Sequence, residues 1–275
     1  MNKITIKSPA KINFGLNIVS KRDDGFHNIE TIFYPVELHD VLTFENAETF
    51  SFTCNNDLIL NDENNLVIKA VRLIEQLVHQ KVNVSITLEK NIPIGAGLGG
   101  GSSNAAQTLL SINEFFNLQI KEEKLKEFAL QLGSDVPFFL HPVPAFATSR
   151  GEIVSLINFE ITKPILLVNP GIHISTQWAY HNITPRKPEV SLSTMFSNAS
   201  SDLSSLNGRV NNDFESIAFA TYPQLAEIKK QMFELNAEFS LMSGSGSTMF
   251  GIFPDDNSAQ NALHYFSKTY YTYLQ

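Results

Sequence analysis

Cysteine is nearly absent from this chain, and charged side chains are few. The 275 residues include one cysteine, Cys54, and 17% of them are charged. A single cysteine excludes an intramolecular disulfide and a cysteine-based zinc cluster. No apolar run reaches the ~20 residues of a membrane span, and the first residues lack the apolar block of a signal peptide. We therefore expect a soluble, cytoplasmic protein.

Basic residues are also scarce relative to acidic ones. The chain has 20 lysines and arginines against 28 aspartates and glutamates, which gives a formal net charge of −8. Such a chain is a poor general binder of nucleic acids or membrane surfaces, so an anionic ligand must be held locally. Hydrophobic residues make up 43% of the chain, which is enough for one large domain or two medium ones.

The stretch from residue 93 to 106, PIGAGLGGGSSNAA, is the most informative part of the sequence. An alternating run at 84–89 precedes it and an Ala/Leu-rich stretch follows, which predicts a strand, a loop and a helix. Residues 95–103, called the glycine loop below, contain five glycines and two serines. A glycine loop at a helix start favours phosphate, because the backbone can approach the ligand and the first N–H groups are unpaired. Ser102 or Ser103 is the predicted N-cap.

Two familiar nucleotide motifs do not fit this loop. No lysine follows the glycines, since Ser102 stands at that position, and this excludes the P-loop pattern. Gly95, Gly97 and Gly100 match a dinucleotide pattern, but a lone match is weak. The loop follows about 90 residues of strand-rich sequence rather than opening an early βαβ unit, and the region after it, which contains Glu114, is helical. The alternative is a plain strand-to-helix turn, for which one or two glycines would be enough.

The remaining pattern mixes strands and helices and restarts near residue 153. Strands are predicted at 4–7, 10–18, 41–44, 50–53, 84–89 and 165–168, with a break at Ser8 and Pro9. Helices are predicted at 65–79, 103–116, 121–132, from 176, at 222–236 and at 257–266. Residues 239–253 are predicted to form two strands around a small-residue loop, and 191–208 a loop or mobile insert. We predict domains at 1–152 and 153–275.

Several polar side chains are candidates for chemistry. The strand at 10–18 places Lys11 and Asn13 on one side, for which the alternative is a solvated strand face. Asp135 follows a helix stop, and a turn or cap role is its alternative. An aspartate and a lysine suit phosphoryl transfer, which needs a proton acceptor and charge neutralisation. The loop at 243–247 either closes on a ligand or simply connects two strands.

Together, the motifs at 8–13, 93–106 and 241–246 resemble, in order, the three motifs of the GHMP kinase superfamily. The resemblance implies an α+β protein with two lobes, an N-terminal nucleotide-binding lobe like ribosomal protein S5 and a C-terminal ferredoxin-like lobe. It also implies that ATP and substrate lie in the cleft between the lobes.

Residues 22–27, 98–101, 132–137 and 211–215 resemble more narrowly the branch of this superfamily that phosphorylates a cytidine diphosphate methylerythritol. This implies transfer from ATP, with Mg²⁺, to the 2-hydroxyl of 4-diphosphocytidyl-2-C-methylerythritol in the non-mevalonate route to isoprenoid precursors. The expected partners are small molecules alone, without nucleic acid or membrane, and the expected state is a monomer or weak homodimer. The alternatives are a mevalonate- or homoserine-type kinase of the same superfamily, and a non-catalytic nucleotide-binding protein.

The resemblance also implies roles for individual residues. Asp135 would be the catalytic base and Lys11 its partner, with Asn13 near the reacting end of the substrate. The implied nucleotide contacts are Lys90, Pro93, Ile94, Gly95, Ala96, Gly97, Leu98, Gly99, Gly100, Gly101, Ser102 and Ser103. No protein ligand of Mg²⁺ is named.

The base of the substrate would be read by a second group of residues. Phe26 and Tyr180 would sandwich the cytosine, His27 would read its polar edge, and Thr176 would touch the substrate. Three positions depart from the family pattern. Phe26 stands where tyrosine is common, Asn169 replaces a frequent histidine, and Ser149 replaces a frequent glycine.

Overall fold

The computed structural model of the chain describes residues 2–197 and 203–275. Within them the chain divides into two units that are interleaved in sequence. Unit 1 comprises Met1–Ala10 (described from residue 2), Val36–Ile94 and Gly99–Pro142, and unit 2 comprises Lys11–Pro35, Gly95–Leu98 and Val143–Gln275. The predicted boundary between residues 152 and 153 stays a prediction.

Two long strands, β1 (Lys3–Lys21) and β2 (His27–Asn46), pair with each other and contribute residues to both units. The predicted break at Ser8 and Pro9 is wrong, because β1 continues through both residues. Proline is tolerated in a strand where its missing N–H costs no ladder bond. Among the named strands of the described residues, β1 pairs only with β2. Its other edge therefore faces no named strand that needs an N–H donor from it.

Unit 1 packs three helices together and contains two short strands. Its elements, besides the parts of β1 and β2, are β3 (Ser51–Cys54), α1 (Leu66–Val78), β4 (Val84–Glu89), α2 (Gly100–Phe115), α3 (Glu122–Leu132) and a 3₁₀ turn (Pro137–Leu140). β4 pairs antiparallel with residues 41–46 of β2 and parallel with β3. α1 packs on α2 and α3. The predicted α1 is confirmed, and the Asn65 side chain caps it by accepting from Val67 N.

Unit 2 contains two strands that continue the sheet beside its part of β2, and a separate antiparallel sheet. β5 (Ala145–Ser149) pairs antiparallel with residues 29–33 of β2 and with β6 (Ile153–Leu156). The separate sheet has the order β10-β7-β9-β8. Its strands are β7 (Ile165–Asn169), β8 (Phe239–Met242), β9 (Met249–Ile252) and β10 (Tyr271–Leu274).

The described part of unit 2 also contains five helices. They are α4 (Thr176–Asn182), α5 (Leu192–Ser197), α6 (Glu215–Thr221), α7 (Pro223–Glu234) and α8 (Asp256–Phe266), with a 3₁₀ turn at Leu203–Leu206. α7 packs on β8 and β9, and α8 packs on β7 and β10. The mixture of helices and two sheets confirms the predicted α+β class.

The prediction of a loop at 191–208 is wrong for part of that segment. α5 and the 3₁₀ turn lie within it, while residues 198–202 lie outside the described part of the chain. Phe196 explains the order of α5, because its ring meets those of Phe14 and Phe159 edge-on at 5.4 and 4.8 Å. These contacts join distant parts of the sequence, so periodicity could not reveal them. Across the described ranges, 2–197 and 203–275, no helix has the length and apolar character of a membrane span.

Candidate active site

Lys11 and Asn13 lie on one side of β1 in unit 2, and each is only 3% exposed. The alternative of a solvated strand face is therefore wrong. The Lys11 ammonium donates to Asn13 Oδ1 and, at 3.4 Å, to the Gly97 carbonyl, and it lies 5.1 Å from the centre of the Phe33 ring. Asn13 Nδ2 donates to Thr31 Oγ1 at 2.9 Å. These partners compensate the burial of the charge and fix its position.

The 95–98 segment of the glycine loop is held by the loop between β8 and β9. Ser243 Oγ accepts from Asn13 N at 3.1 Å and donates to the Gly97 carbonyl at 2.8 Å. Thr248 N donates to the Ala96 carbonyl at 3.2 Å. A Cβ on Gly97, whose φ is +76°, would overlap the Ser243 carbonyl oxygen. The 243–248 loop is thus both a strand connection and a support of the glycine loop.

The 99–103 segment forms the start of α2 in unit 1. The helix begins at Gly100, and its N-cap is Gly99, with φ of +70° and no side chain to cap the first turn. The predicted N-cap at Ser102 or Ser103 is wrong, because the helix starts two to three residues earlier. Ser103 Oγ instead accepts from Ser8 Oγ at 2.8 Å inside the unit. The first N–H groups of α2 therefore lack a side-chain cap at the positive end of the helix dipole.

Lys90 forms a buried ion pair with Asp40 ahead of the glycine loop. Their side chains are 4% and 0% exposed, and Lys90 Nζ lies 2.8 Å from Asp40 Oδ2. Lys90 also donates to the Ile92 carbonyl, and Asp40 Oδ1 accepts from Asn91 N and Ile92 N at 2.7 and 2.8 Å. Burial lowers the pKa of Lys90, and the charge of Asp40 opposes that shift. Asp40 was not predicted, since a lone aspartate just ahead of the predicted 41–44 strand carries no local signal.

Asp135 lies half-buried in unit 1, in the turn between α3 and the 3₁₀ turn. α3 ends at Leu132 and Gly133 is its C-cap, which confirms the predicted helix stop, and Val136 N donates to the Gly133 carbonyl at 3.2 Å. Val136 is fully buried, which anchors the turn next to the aspartate. Gln107 Nε2, on α2, donates to the Phe139 carbonyl at 2.9 Å and joins the helix to this region.

His27 and Tyr180 come together in unit 2. Their rings stack with centres 5.0 Å apart and an interplanar angle of 20°, and Tyr180 meets Phe214 edge-on at 5.0 Å. Burial, and then the charge of Lys21, lower the pKa of His27 below its ordinary value. Phe26 remains 49% exposed, with the Arg150 guanidinium carbon 4.5 Å from its ring centre.

Thr176 and His173 lie beside the small-residue loops of unit 2. Thr176 begins α4, and its Oγ1 is 3.1 Å from Ser245 Oγ. His173 was not predicted. Its ring fills the space of a side chain at Gly95, because a Cβ there would stand 2.5 Å from His173 Nδ1. Within the described residues, no three His, Cys, Asp or Glu side chains are grouped as a metal site.

Comparison with known proteins places this arrangement in a family. Residues 65–142 match the model of the GHMP kinases N terminal domain, and residues 195–272 match that of the GHMP kinases C terminal. The chain is 37% identical to 4-diphosphocytidyl-2-C-methyl-D-erythritol kinase of Thermodesulfovibrio yellowstonii, over 96% of this chain and 94% of the relative. It is 40% identical to the kinase of that name from Chlorobium phaeobacteroides, over 97% and 94%.

The chain belongs to the 4-diphosphocytidyl-2-C-methyl-D-erythritol kinase family. A crystal structure of 4-(cytidine 5'-diphospho)-2C-methyl-D-erythritol kinase, 30% identical, matches 98% of each chain with a TM-score of 0.83. The two-lobed fold predicted from the three GHMP motifs is thereby confirmed.

Proposed function

We propose that this chain is an ATP-dependent kinase that phosphorylates the 2-hydroxyl of 4-diphosphocytidyl-2-C-methyl-D-erythritol in the non-mevalonate route to isoprenoid precursors. The relatives of that name support the substrate, since they match nearly the whole chain at 37% and 40% identity. The observation that carries the proposal is the glycine-built start of α2, which has no N-cap side chain. Such a helix start leaves N–H groups for phosphate oxygens.

ATP is the proposed phosphoryl donor, and its phosphates bind the glycine loop. The Asn104 side-chain oxygen supports a ligand at this end of α2, because it is buried and, among the described residues, has no hydrogen-bond donor. Buried polar atoms of this kind normally have a partner, which a ligand or its bound water would supply. Mg²⁺ would bind mainly to phosphate oxygens and water, and it would neutralise charge on the triphosphate.

Asp135 and Lys11 are the proposed catalytic pair. The 2-hydroxyl oxygen attacks the γ-phosphorus and forms a new P–O bond. The bond from the γ-phosphorus to the bridging oxygen breaks, and ADP leaves with the electron pair. Asp135 accepts the hydroxyl proton, and the Lys11 ammonium stabilises the developing negative charge. The buried contacts of Lys11 support this role, because they hold the ammonium in one position.

Phe26, His27 and Tyr180 are proposed to recognise the cytidine end, and Asn13 the methylerythritol end. Phe26 and Tyr180 would stack on the cytosine, and Thr176 would contact the substrate near the 243–248 loop. A His27 ring that is neutral at pH 7 offers one donor and one acceptor, which can match the polar edge of a base. Mevalonate and homoserine have no base to occupy such a site, so these residues favour the cytidine substrate.

Asp135→Asn tests the reaction. We expect kcat to fall by about 10²- to 10⁴-fold, because the amide cannot accept the hydroxyl proton. ATP affinity, measured by calorimetry, should stay nearly unchanged. Asp256→Asn, an exposed site on α8, is the matched control and should retain full activity. Parent-like turnover by Asp135→Asn would reject Asp135 as the base.

The substrate is tested separately, by ATP consumption with the cytidine diphosphate substrate, mevalonate and homoserine. A preference for mevalonate or homoserine would reject the substrate assignment, and no turnover with any of the three would favour a non-catalytic nucleotide-binding protein. A cytoplasmic location and a monomer or weak homodimer complete the proposal, and sedimentation of the purified chain measures the latter.

A further inference from the structure

Arg150 covers one face of the exposed Phe26 ring. Its guanidinium carbon lies 4.5 Å from the ring centre, and its side chain is 23% exposed while Phe26 is 49% exposed. A guanidinium over an aromatic face is attracted by the ring quadrupole. Phe26 also lacks the hydroxyl that a tyrosine could use to anchor its ring. The covering guanidinium therefore leaves the opposite face of Phe26 as the one available for stacking.

A polar network fixes the 22–28 turn, which carries Phe26. Arg22 binds Asp24 through two nitrogens, with Nη2 to Oδ2 at 2.8 Å and Nε to Oδ1 at 3.1 Å. Asp24 Oδ1 accepts from Phe26 N at 3.1 Å, and Arg22 Nη1 donates to Asn28 Oδ1 at 3.2 Å. Arg22 Nη1 also donates to Ser149 Oγ at 2.8 Å, which ties the turn to the end of β5.

The same network reaches Arg150 from the other side. Ser149 Oγ donates to Glu152 Oε1 at 2.9 Å, Arg150 N donates to Glu152 Oε2 at 2.7 Å, and Arg150 Nε lies 3.7 Å from Glu152 Oε1. Ser149 adopts φ of +60°, which residues with a side chain rarely do. Its hydroxyl, which glycine would lack, joins Arg22 to Glu152. The contacts thus form a closed circuit from Phe26 through Asp24, Arg22, Ser149, Glu152 and Arg150 back to Phe26.

We propose that Arg150 is a positioning residue for base recognition, holding the Phe26 ring so that its free face stacks on the pyrimidine of the substrate. This rests on the proposed function, in which Phe26 stacks on the cytosine. The role is specific to the phosphoryl acceptor, so the affinity for ATP does not depend on Arg150. Arg150 acts through Phe26 and makes no contact of its own with the substrate.

A double-mutant cycle separates action through Phe26 from direct contact with the substrate. Arg150→Met keeps the unbranched stem and removes the charge, and we expect the KM for the cytidine substrate to rise about two- to fivefold. kcat and the KM for ATP should change by less than about twofold, and Arg150→Lys should recover part of the loss. In a Phe26→Leu background, Arg150→Met should change this KM by less than about 1.5-fold.

Arg72→Met is the matched control, because Arg72 lies 4.7 Å from the Phe50 ring centre in unit 1. It removes the same kind of contact and should leave the KM for the cytidine substrate unchanged. Thermal unfolding of each variant shows whether the fold is retained. If Arg150→Met leaves KM unchanged in the parent, or keeps its full effect beside Phe26→Leu, the proposal is wrong. The second result would mean that Arg150 contacts the substrate itself.

Failure of the proposed function gives a different result. The parent would then either bind the cytidine substrate without turning it over or fail to bind it. If it binds CDP, the same cycle can be measured as calorimetric Kd values for CDP, with the same expected coupling. If the parent neither turns over the cytidine substrate nor binds CDP, both the substrate assignment and the role of Arg150 are rejected. Turnover without coupling rejects the role of Arg150 alone.

Discussion

The glycine loop and the 22–28 turn both bend at glycines with positive φ, but their surroundings are opposite. Gly97 lies against the backbone of Ser243, whereas a Cβ on Gly25 would have no atom within 4 Å. The ion pair ahead of the glycine loop, Lys90–Asp40, is 4% and 0% exposed, while Arg22–Asp24 in the turn is 31% and 46% exposed. Packing thus fixes the proposed donor site, and a partly exposed polar network fixes the proposed base site. Changes at the first should cost stability, and changes at the second should alter affinity.

The largest expected effect comes from breaking the buried pair. Lys90→Met leaves the Asp40 carboxylate buried without its cation, and we expect the free energy of unfolding to fall by about 3–5 kcal/mol. Urea unfolding measures this loss. Lys124→Met is the matched control, since its pair with Glu127 has side chains 40% and 60% exposed and a comparable separation of 2.6 Å. Its loss should be about 0–1 kcal/mol.

The outcome also bears on the predicted nucleotide contact of Lys90. If Lys90→Met raised the KM for ATP and left the unfolding free energy unchanged, the ammonium would act on the nucleotide and the structural interpretation of the pair would be wrong. Equal losses of unfolding free energy in Lys90→Met and Lys124→Met would show that burial of an ion pair does not decide its contribution to stability.

The second effect compares the two glycines directly. Gly97→Ala places a methyl group against the Ser243 carbonyl in a left-handed conformation, and we expect a stability loss of about 3 kcal/mol together with loss of activity. Gly25→Ala carries the same backbone strain without the overlap, so its loss should be about 1–2 kcal/mol. Denaturant unfolding of both variants gives the difference. A loss in Gly25→Ala as large as in Gly97→Ala would show that φ alone decides, and that packing around the loop does not.

Local sequence patterns predicted the elements that depend mainly on local interactions. Apolar spacing located α1, and alternation put Lys11 and Asn13 on one strand face. The break predicted at Pro9 failed because the cost of a proline depends on whether a neighbouring strand needs its N–H. The start of α2 was placed too late because Gly99 caps by backbone conformation, without a side chain that a pattern could recognise.

Contacts between distant segments could not be predicted from the sequence. Nothing near Phe26 indicates that Arg150 covers its ring, and nothing near Gly95 indicates His173. The family resemblance supplied Phe26, His27 and Tyr180 as candidates, but the His27–Tyr180 stack depends on how β2 and α4 meet within unit 2. Sequence motifs therefore identified residue types for the site, while tertiary packing determined which of them touch.

The smallest expected effect is a pH dependence that is confined to the base site. The folded-state pKa of His27 lies below its ordinary 6.5 because burial and Lys21 disfavour the imidazolium. As pH falls from 6.5 through that lower pKa, the unfolded chain binds the proton first, so the stability contributed by neutral His27 is lost.

The proton also removes the acceptor of the His27 ring, so kcat/KM for the cytidine substrate should fall by about tenfold at one pH unit below the pKa. The KM for ATP should stay flat over the same window, because His27 belongs to the base site. His27→Gln, which cannot titrate, should have a higher KM and lose this pH dependence; an unchanged profile in that variant would assign the titration to another group.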